Sequence, residues 1–240
     1  MVETFDKPCG NCGKPVTLEK PPNKAGFDLM AGLSVLCQSC SEEAAAKEAE
    51  EAAFQAREQH GMRIIESGMP AKLRSVNFDA LDMTTENHEA IESAIAWSKG
   101  ELPGLVLTGP VGVGKTWTAA AAANGYLERK PLRWFSVARM LAQYRAGFKN
   151  PARDEVNSVL LNPRLALVMD DIDKVNPTDF TRDILFQAID ERVNNDTALL
   201  VTTNMRYNEL EKTYGEPIAS RLAGYGKAAR IDGEDRRRDV

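Results

Sequence analysis

From residue 69 onward, short and mainly apolar runs alternate with longer helix-favouring stretches. The runs are Leu105–Thr108, Leu132–Val137, Leu165–Met169, Leu199–Thr203 and a shorter Ala228–Ile231. Short, mainly apolar runs of four to six residues between helical stretches predict the strands of a buried parallel sheet, Leu105–Thr108 most clearly. Between them lie Thr85–Lys99, which ends at Gly100, and the Ala-rich Thr116–Leu127, both of helical composition. This alternation predicts an α/β fold, a central parallel sheet flanked by helices. Leu73–Leu81 reads as an irregular lead-in. Upstream the pattern changes. Residues 41–68 are rich in Ala and Glu, with Ser41 placed to cap a helix and Gly68 and Pro70 to end it. Seven acidic and three basic residues there predict a solvated spacer helix, a partner-binding helix being the alternative. Residues 1–40 show no periodicity and too few large apolar side chains to fold unaided. The chain therefore divides into a small module at 1–40, a helical linker at 41–68 and the main α/β domain at 69–240.

Composition narrows the class. The 240 residues are 43% hydrophobic and 27% charged, as in a globular protein. No apolar run approaches the ~20 residues of a membrane span, and the start MVETFDKPCG has no basic region leading into an apolar core. The expectation is a cytoplasmic protein with no membrane partner. A formal net charge of −5 does not mark the chain as a whole for nucleic acid.

All four cysteines fall in the first module, as Cys9-x-x-Cys12 and Cys37-x-x-Cys40 with 24 residues between the pairs. Two C-x-x-C pairs make two tight knuckles, and four thiolates close a tetrahedral structural Zn2+ site. Disulfides are the alternative, disfavoured in a reducing compartment. Redox chemistry needs one C-x-x-C in a thioredoxin-like setting, which is absent. In so small a module the metal itself would supply the stability.

The strongest chemical signal is Gly109-Pro110-Val111-Gly112-Val113-Gly114-Lys115-Thr116, followed by Trp117. It matches the phosphate loop G-x-x-x-x-G-K-[ST]. The glycines let backbone N–H groups approach phosphate oxygens, Lys115 brings a cation to the β- and γ-phosphates of ATP, and the Thr116 hydroxyl is a Mg2+ ligand. The loop lies between a predicted strand and a predicted helix, the context that makes an anion site. Further on, RLALVMDDID delivers Asp170 and Asp171 to the carboxyl end of a strand, where ligands bind in open α/β sheets. Asp170 is expected in the Mg2+ shell and Asp171 beside the attacking water. LLVTTN places Asn204 where a polar side chain can hold that water, and PIASRL presents Arg221 on a helix.

Local charge departs from the bulk value between Arg129 and Arg153, which hold seven basic residues and no acidic one. Trp134, Phe135, Tyr144 and Phe148 are interleaved, the mixture a single-strand groove uses. Core packing is the competing reading for Trp134 and Phe135 in a strand and for Met140, Leu141 and Tyr144 at helical spacing. Phe148, beside Arg145 and Lys149, is the least core-like ring.

The order GPVGVGKT, VMDDID, VTTN, SRL and a final GEDRR resembles the AAA+ helicase loaders of the DnaC/DnaI type, phage versions included, with the insertion-sequence helper IstB as a near relative. The resemblance spans about Phe78 to Arg237. It implies an AAA+ P-loop NTPase without a C-terminal lid domain, plus the small amino-terminal zinc-binding module, which is similar to the helicase-binding domain of DnaI. It implies ATP and Mg2+ at Lys115, Thr116 and Asp170, with Asp171 as the second Walker B acid where the family more often has Glu. Asn204 matches sensor one, Arg221 an arginine finger acting in trans on a self-associated neighbour, and Arg237 the terminal sensor arginine, flanked by Arg236 and Arg238. Single-stranded DNA contacts are implied at Arg145, Phe148 and Lys149 and, past Walker B, at Thr178 and Phe180. The leading expectation is an ATPase that loads a replicative hexameric helicase of the DnaB type onto single-stranded DNA. The alternatives are an IstB-like transposition helper acting on duplex target DNA and an adaptor that binds ATP without hydrolysing it. The zinc module favours the loader, because the transposition helpers lack it, and the intact Lys115, Asp170, Asp171 and Arg221 disfavour the adaptor.

Overall fold

The computed structural model describes residues 3–21, 33–145 and 151–236, which form two compact units, residues 1–59 and 60–240. In the first unit, strands β1 (Thr4–Pro8) and β2 (Pro15–Glu19) pair antiparallel with Thr4 opposite Glu19 and Pro8 opposite Pro15. Cys9 and Cys12 sit in the turn between them. Helix α1 spans Gln38–Glu66. It starts earlier than the Ser41 cap predicts, because the second C-x-x-C builds its first turn: Ser41 N donates to Cys37 O at 2.9 Å. Ser41 is therefore inside the helix. The helix ends where expected, with Ser67 Oγ donating to Ile64 O and Gly68 at φ 77°.

The second unit is built on the predicted sheet. Its strands are β3 (Gly104–Thr108), β4 (Leu132–Ser136), β5 (Ala166–Asp170), β6 (Leu199–Thr203) and β7 (Gly226–Arg230), in the order β4-β5-β6-β3-β7 and parallel throughout. The helices are α2 (His88–Lys99), α3 (Lys115–Leu127), α4 (Val137–Arg145), α5 (Pro151–Leu160), α6 (Asp179–Asn194), α7 (Tyr207–Tyr214) and α8 (Glu216–Tyr225). Val137, expected at the end of a strand, instead begins α4, and β7 starts two residues before the predicted run.

The period-two alternation divides the core. Leu105, Leu107, Leu132, Trp134, Val168 and Leu200 face α2 and α3, packing on Trp97 and the alanines 119–123. Val106, Leu167, Met169, Leu199 and Val201 face α4 through α8. The small side chains of α3 let that helix lie close to the sheet, which draws its N-terminus, and the loop before it, down onto the strand ends. On the other face, Arg192 is fully buried and makes no ion pair among the described residues. Its guanidinium donates to Val159 O and Leu160 O, capping the last turn of α5. Burial lowers its pKa to about 10, so the group stays cationic at neutral pH.

Candidate functional site

The carboxyl ends of β3, β5 and β6 lie side by side, and three sequence motifs leave the sheet there. After β3 the chain turns through Gly109 (φ 145°), Gly112 (φ 83°) and Gly114 (φ 104°) into the N-terminus of α3. These values lie in the region that side chains rarely enter. Space is restrictive as well: a Cβ on Gly109 would lie 2.0 Å from Ile231 O, and one on Gly112 would lie 1.7 Å from Asp235 Oδ1. The loop is thus packed against the segment after β7, and Arg236 N donates to Gly112 O at 3.3 Å. Within the loop Val113 is core, so it offers only its backbone, whereas Val111 and Trp117 are about half exposed at 49% and 46%.

Lys115 is buried, and its Nζ donates to Gly109 O (2.9 Å), Pro110 O (2.6 Å) and Asn204 Oδ1 (2.7 Å). Residues 89 positions apart are thereby joined at one point. Thr116 Oγ1 donates to Asp170 Oδ1 at 3.0 Å, bringing the two expected Mg2+ ligands together. A hydroxyl and a carboxylate at hydrogen-bond distance, beside a helix N-terminus and a lysine, form an oxygen-rich set of the kind Mg2+ takes together with phosphate. Burial raises the pKa of Asp170, with Asp171 adding to the shift, while the Thr202 and Thr116 hydroxyls act against it.

Two participants escaped the motif reading. Thr202, fully buried in β6, donates through Oγ1 to Asp170 Oδ1 (2.7 Å) and accepts from Asp171 N (2.8 Å). Asp173 accepts from Asn204 N (2.9 Å) and Nδ2 (2.5 Å) and so orients the amide whose oxygen faces Lys115. The signals were present: a hydroxyl inside an all-buried strand, and a third acid in DDID. Asp171 adopts the left-handed conformation, φ 57° and ψ 56°. Asp and Asn are among the few side chains that tolerate it, which accounts for the short acid at a position where Glu would be less at ease.

Arg221 is not part of this cluster. Its partners are Asp190 and Phe186 on α6 and the backbone of Pro217. Arg237, Phe148 and Lys149 lie outside the described residues.

The remaining residues expected at nucleic acid do meet. The Arg145 guanidinium lies 5.3 Å from the centre of the Phe180 ring, and its Nη2 donates to Thr181 Oγ1 at 3.4 Å. Phe180 is 37% exposed and sits 5.8 Å from the Tyr144 ring. Thr178 caps α6, its hydroxyl accepting from Thr181 N. Trp134, Met140, Leu141 and Tyr144 are buried, so for them core packing was the right alternative.

In the first unit the sulfur atoms of Cys9, Cys12, Cys37 and Cys40 all lie within 4.8 Å of one another, and none is in a disulfide. A tetrahedron with Zn–S bonds of ~2.3 Å has sulfurs about 3.8 Å apart, so the four thiols fit such an ion. Backbone N–H groups of Cys12, Cys37 and Asn11 lower the Cys9 thiol to about 6. Cys40 receives the Asn11 amide, yet its hydrogen bonds with Cys12 and Cys37 push it up to about 12. Crowded thiols compete for negative charge, and a dication relieves that competition.

Among curated proteins, the chain is 28% identical over 130 residues to an ATP-binding protein in an insertion sequence of Mycobacterium tuberculosis, a match covering 53% of this chain and 51% of that one. The chain thus spans about half the length of the curated relative it matches. Among solved structures it resembles the DnaC helicase loader (TM-score 0.56, 23% identity, 68% of this chain and 99% of that one). It also resembles DnaI (TM-score 0.59, 21% identity, 70% and 94%). A third match is the replication initiator DnaA bound to AMPPCP and single-stranded DNA (TM-score 0.59, 18% identity, 66% and 50%). At these identities the structural matches establish the AAA+ P-loop fold. Among the described residues no helix is long and apolar enough to cross a membrane. The family of IstB-like ATP binding proteins matches residues 42–236, a span that contains the phosphate loop, the Asp170–Thr202 pair and Asn204, and the chain belongs to that family.

Proposed function

We propose that this protein is an ATPase that loads a replicative hexameric helicase of the DnaB type onto single-stranded DNA. The observation that carries the reading is the Arg145–Phe180 pair: a cation over a partly exposed ring, at the junction of α4 and α6. A ring offers stacking to an unpaired base, and the guanidinium beside it offers charge to a phosphate, a combination suited to single strands. The four-cysteine module ahead of the ATPase supports the same reading, as a Zn2+-held helicase-binding element resembling that of DnaI.

In this reading Lys115 balances the phosphate charge of ATP, and Thr116 and Asp170 hold Mg2+, which supplies Lewis-acid stabilisation of phosphate charge when bound. Asp171 and Asn204 orient the attacking water, with Asp173 fixing Asn204 and Thr202 fixing both Walker B acids. Val111 and Trp117 line the open side of the loop. Arg221 and the nucleotide cluster share no hydrogen bond or ring contact among the described residues, which fits a finger that completes a neighbour's site within an assembled ring. The cellular setting for this work is the cytoplasm.

The insertion-sequence relative favours a second reading, a transposition helper acting on duplex DNA. The two separate in one experiment. ATP-bound protein is titrated with single-stranded and duplex oligonucleotides across a salt series, alone and with the replicative helicase of the same source. A loader prefers the single strand, loses that preference in Arg145→Ala/Phe180→Ala with ATP binding intact, and co-purifies with the helicase. Tighter binding to duplex, and no helicase association, would establish the helper instead.

A further inference from the structure

Arg221 projects from α8 into a cradle formed by one stripe of α6. Phe186, Asp190 and Asn194 are spaced four residues apart, so they stack along a single helix face. Asp190 Oδ1 accepts Arg221 Nε at 2.5 Å, while Asp190 Oδ2 accepts Asn194 Nδ2 at 2.9 Å. The carboxylate is therefore fixed from both sides. The Phe186 ring lies under the guanidinium, 4.3 Å from Cζ, and Nη1 donates to Pro217 O one turn back on α8 at 3.3 Å. One edge and one face of the guanidinium are thus committed. The terminal Nη2 has no hydrogen-bond partner among the described residues, and the side chain is about a third exposed, at 34%.

An ion pair about a third exposed contributes little to stability, so the fold gains little from three contacts on one arginine near the surface. What they do restrict is rotamer freedom in a long side chain. The geometry also argues against sequestration. A carboxylate that hides an arginine takes two N–H groups in a bidentate fork, whereas Asp190 takes Nε and leaves the far end of the fork unused.

We propose that Asp190, braced by Asn194 and backed by Phe186, is the positioning residue of Arg221, orienting its Nη2 end toward the γ-phosphate held by a neighbouring subunit. The inference rests on the reading of Arg221 as a finger acting in trans. Orientation is where the rate gain lies, since a displacement of about 1 Å in a reacting group costs up to ~100-fold. The Asp190 charge lowers the net field of the finger, an effect smaller than the loss from a finger that wanders.

The test compares wild type, Arg221→Ala, Asp190→Ala, Asp190→Asn, Asn194→Ala and the double variant Asp190→Ala/Arg221→Ala, at protein concentrations where the ATPase domains assemble. ATPase rate, KM, nucleotide affinity and melting temperature are read for each. Asp190→Ala is expected to lower kcat by about 10- to 100-fold with KM and nucleotide affinity unchanged. Asp190→Asn, whose Oδ1 still accepts Nε–H, recovers most of the rate, and Asn194→Ala gives a smaller loss of the same kind. The double variant is no slower than Arg221→Ala, since Asp190 acts only through that arginine. Mixing places the defect: Asp190→Ala subunits regain turnover with Lys115→Ala subunits, which carry an intact finger, and not with Arg221→Ala subunits. Wild-type turnover in Asp190→Ala, faster turnover than wild type, lost nucleotide affinity, or a double variant slower than Arg221→Ala would each overturn the proposal. Wild-type turnover in Arg221→Ala would instead overturn the finger assignment on which it stands.

Discussion

Thr202→Val isolates a polar link between the two acids Asp170 and Asp171. The Thr202 hydroxyl is buried, donates to Asp170 Oδ1 at 2.7 Å and accepts from Asp171 N at 2.8 Å. Valine fills nearly the same volume, so packing on β6 is preserved while both hydrogen bonds vanish. A bond to an ionised carboxylate contributes about 1.5–3 kcal/mol, and a stranded amide costs about 1–3 kcal/mol. The added methyl returns about 0.8 kcal/mol of apolar burial. The net loss is about 2–5 kcal/mol. In a protein of this size each kcal/mol moves Tm by about 2–4 °C, so the variant should melt roughly 4–20 °C lower. Turnover should fall as well, because Asp171 loses the contact that holds its left-handed backbone in place, while nucleotide binding through Lys115 persists. The pH profile supplies a third readout. Burial raises the Asp170 pKa and the Thr202 hydroxyl counteracts that rise. With the hydroxyl gone the pKa climbs further, protons compete with Mg2+ at higher pH, and the acid-side fall in Mg2+-dependent turnover shifts toward neutrality. Differential scanning calorimetry and a coupled ATPase assay from acid to neutral pH measure all three. A variant that melts within about 1 °C of wild type and hydrolyses ATP at full rate would refute the reasoning.

Asp170→Asn should raise Tm of the nucleotide-free protein at neutral pH while abolishing Mg2+-dependent turnover. A folded-state pKa above the unfolded value means that protonation favours the fold, so the gain in Tm shrinks as pH falls through that raised pKa, and a gain that stays constant with pH would contradict the assignment. Lys115→Ala should lose nucleotide binding, whereas Asp171→Asn, which tolerates the same φ of 57°, should bind ATP and fail to turn it over. Equilibrium binding and single-turnover assays distinguish them, and normal hydrolysis by Asp171→Asn would remove that residue from the mechanism. Elemental analysis should find about one Zn per chain, and loading metal-free protein should release protons, Cys40, whose thiol sits at about 12, being one source. Acidification or a chelator should strip the ion, and a metal-free chain with four free thiols and an unchanged amino-terminal hairpin would rule the site out.

Much of the fold was legible in the pattern of residues. Central strands buried on both faces leave short, mainly apolar runs, and a phosphate loop needs glycines and a lysine at fixed offsets, so both are written in consecutive positions. The four-cysteine set was legible for the same reason. Boundaries were less so: Val137 is as apolar as its strand neighbours, and only the turn of the backbone into α4 assigns it to a helix. Contacts between distant segments were legible only where a motif names both partners, as for Thr116 and Asp170. Thr202 and Asp173 have no motif of their own, and their roles exist only because parallel pairing of β5 with β6 sets the end of one strand beside the end of the other. The approach of Arg236 to Gly112, the meeting of Arg145 with Phe180 and the cradle of Phe186, Asp190 and Asn194 around Arg221 arise in the same way. Local sequence encodes which chemical groups the chain carries and how its backbone turns nearby. Which of those groups share a hydrogen bond is set by the packing of helices onto the sheet, a property of the whole core that no single stretch of sequence contains.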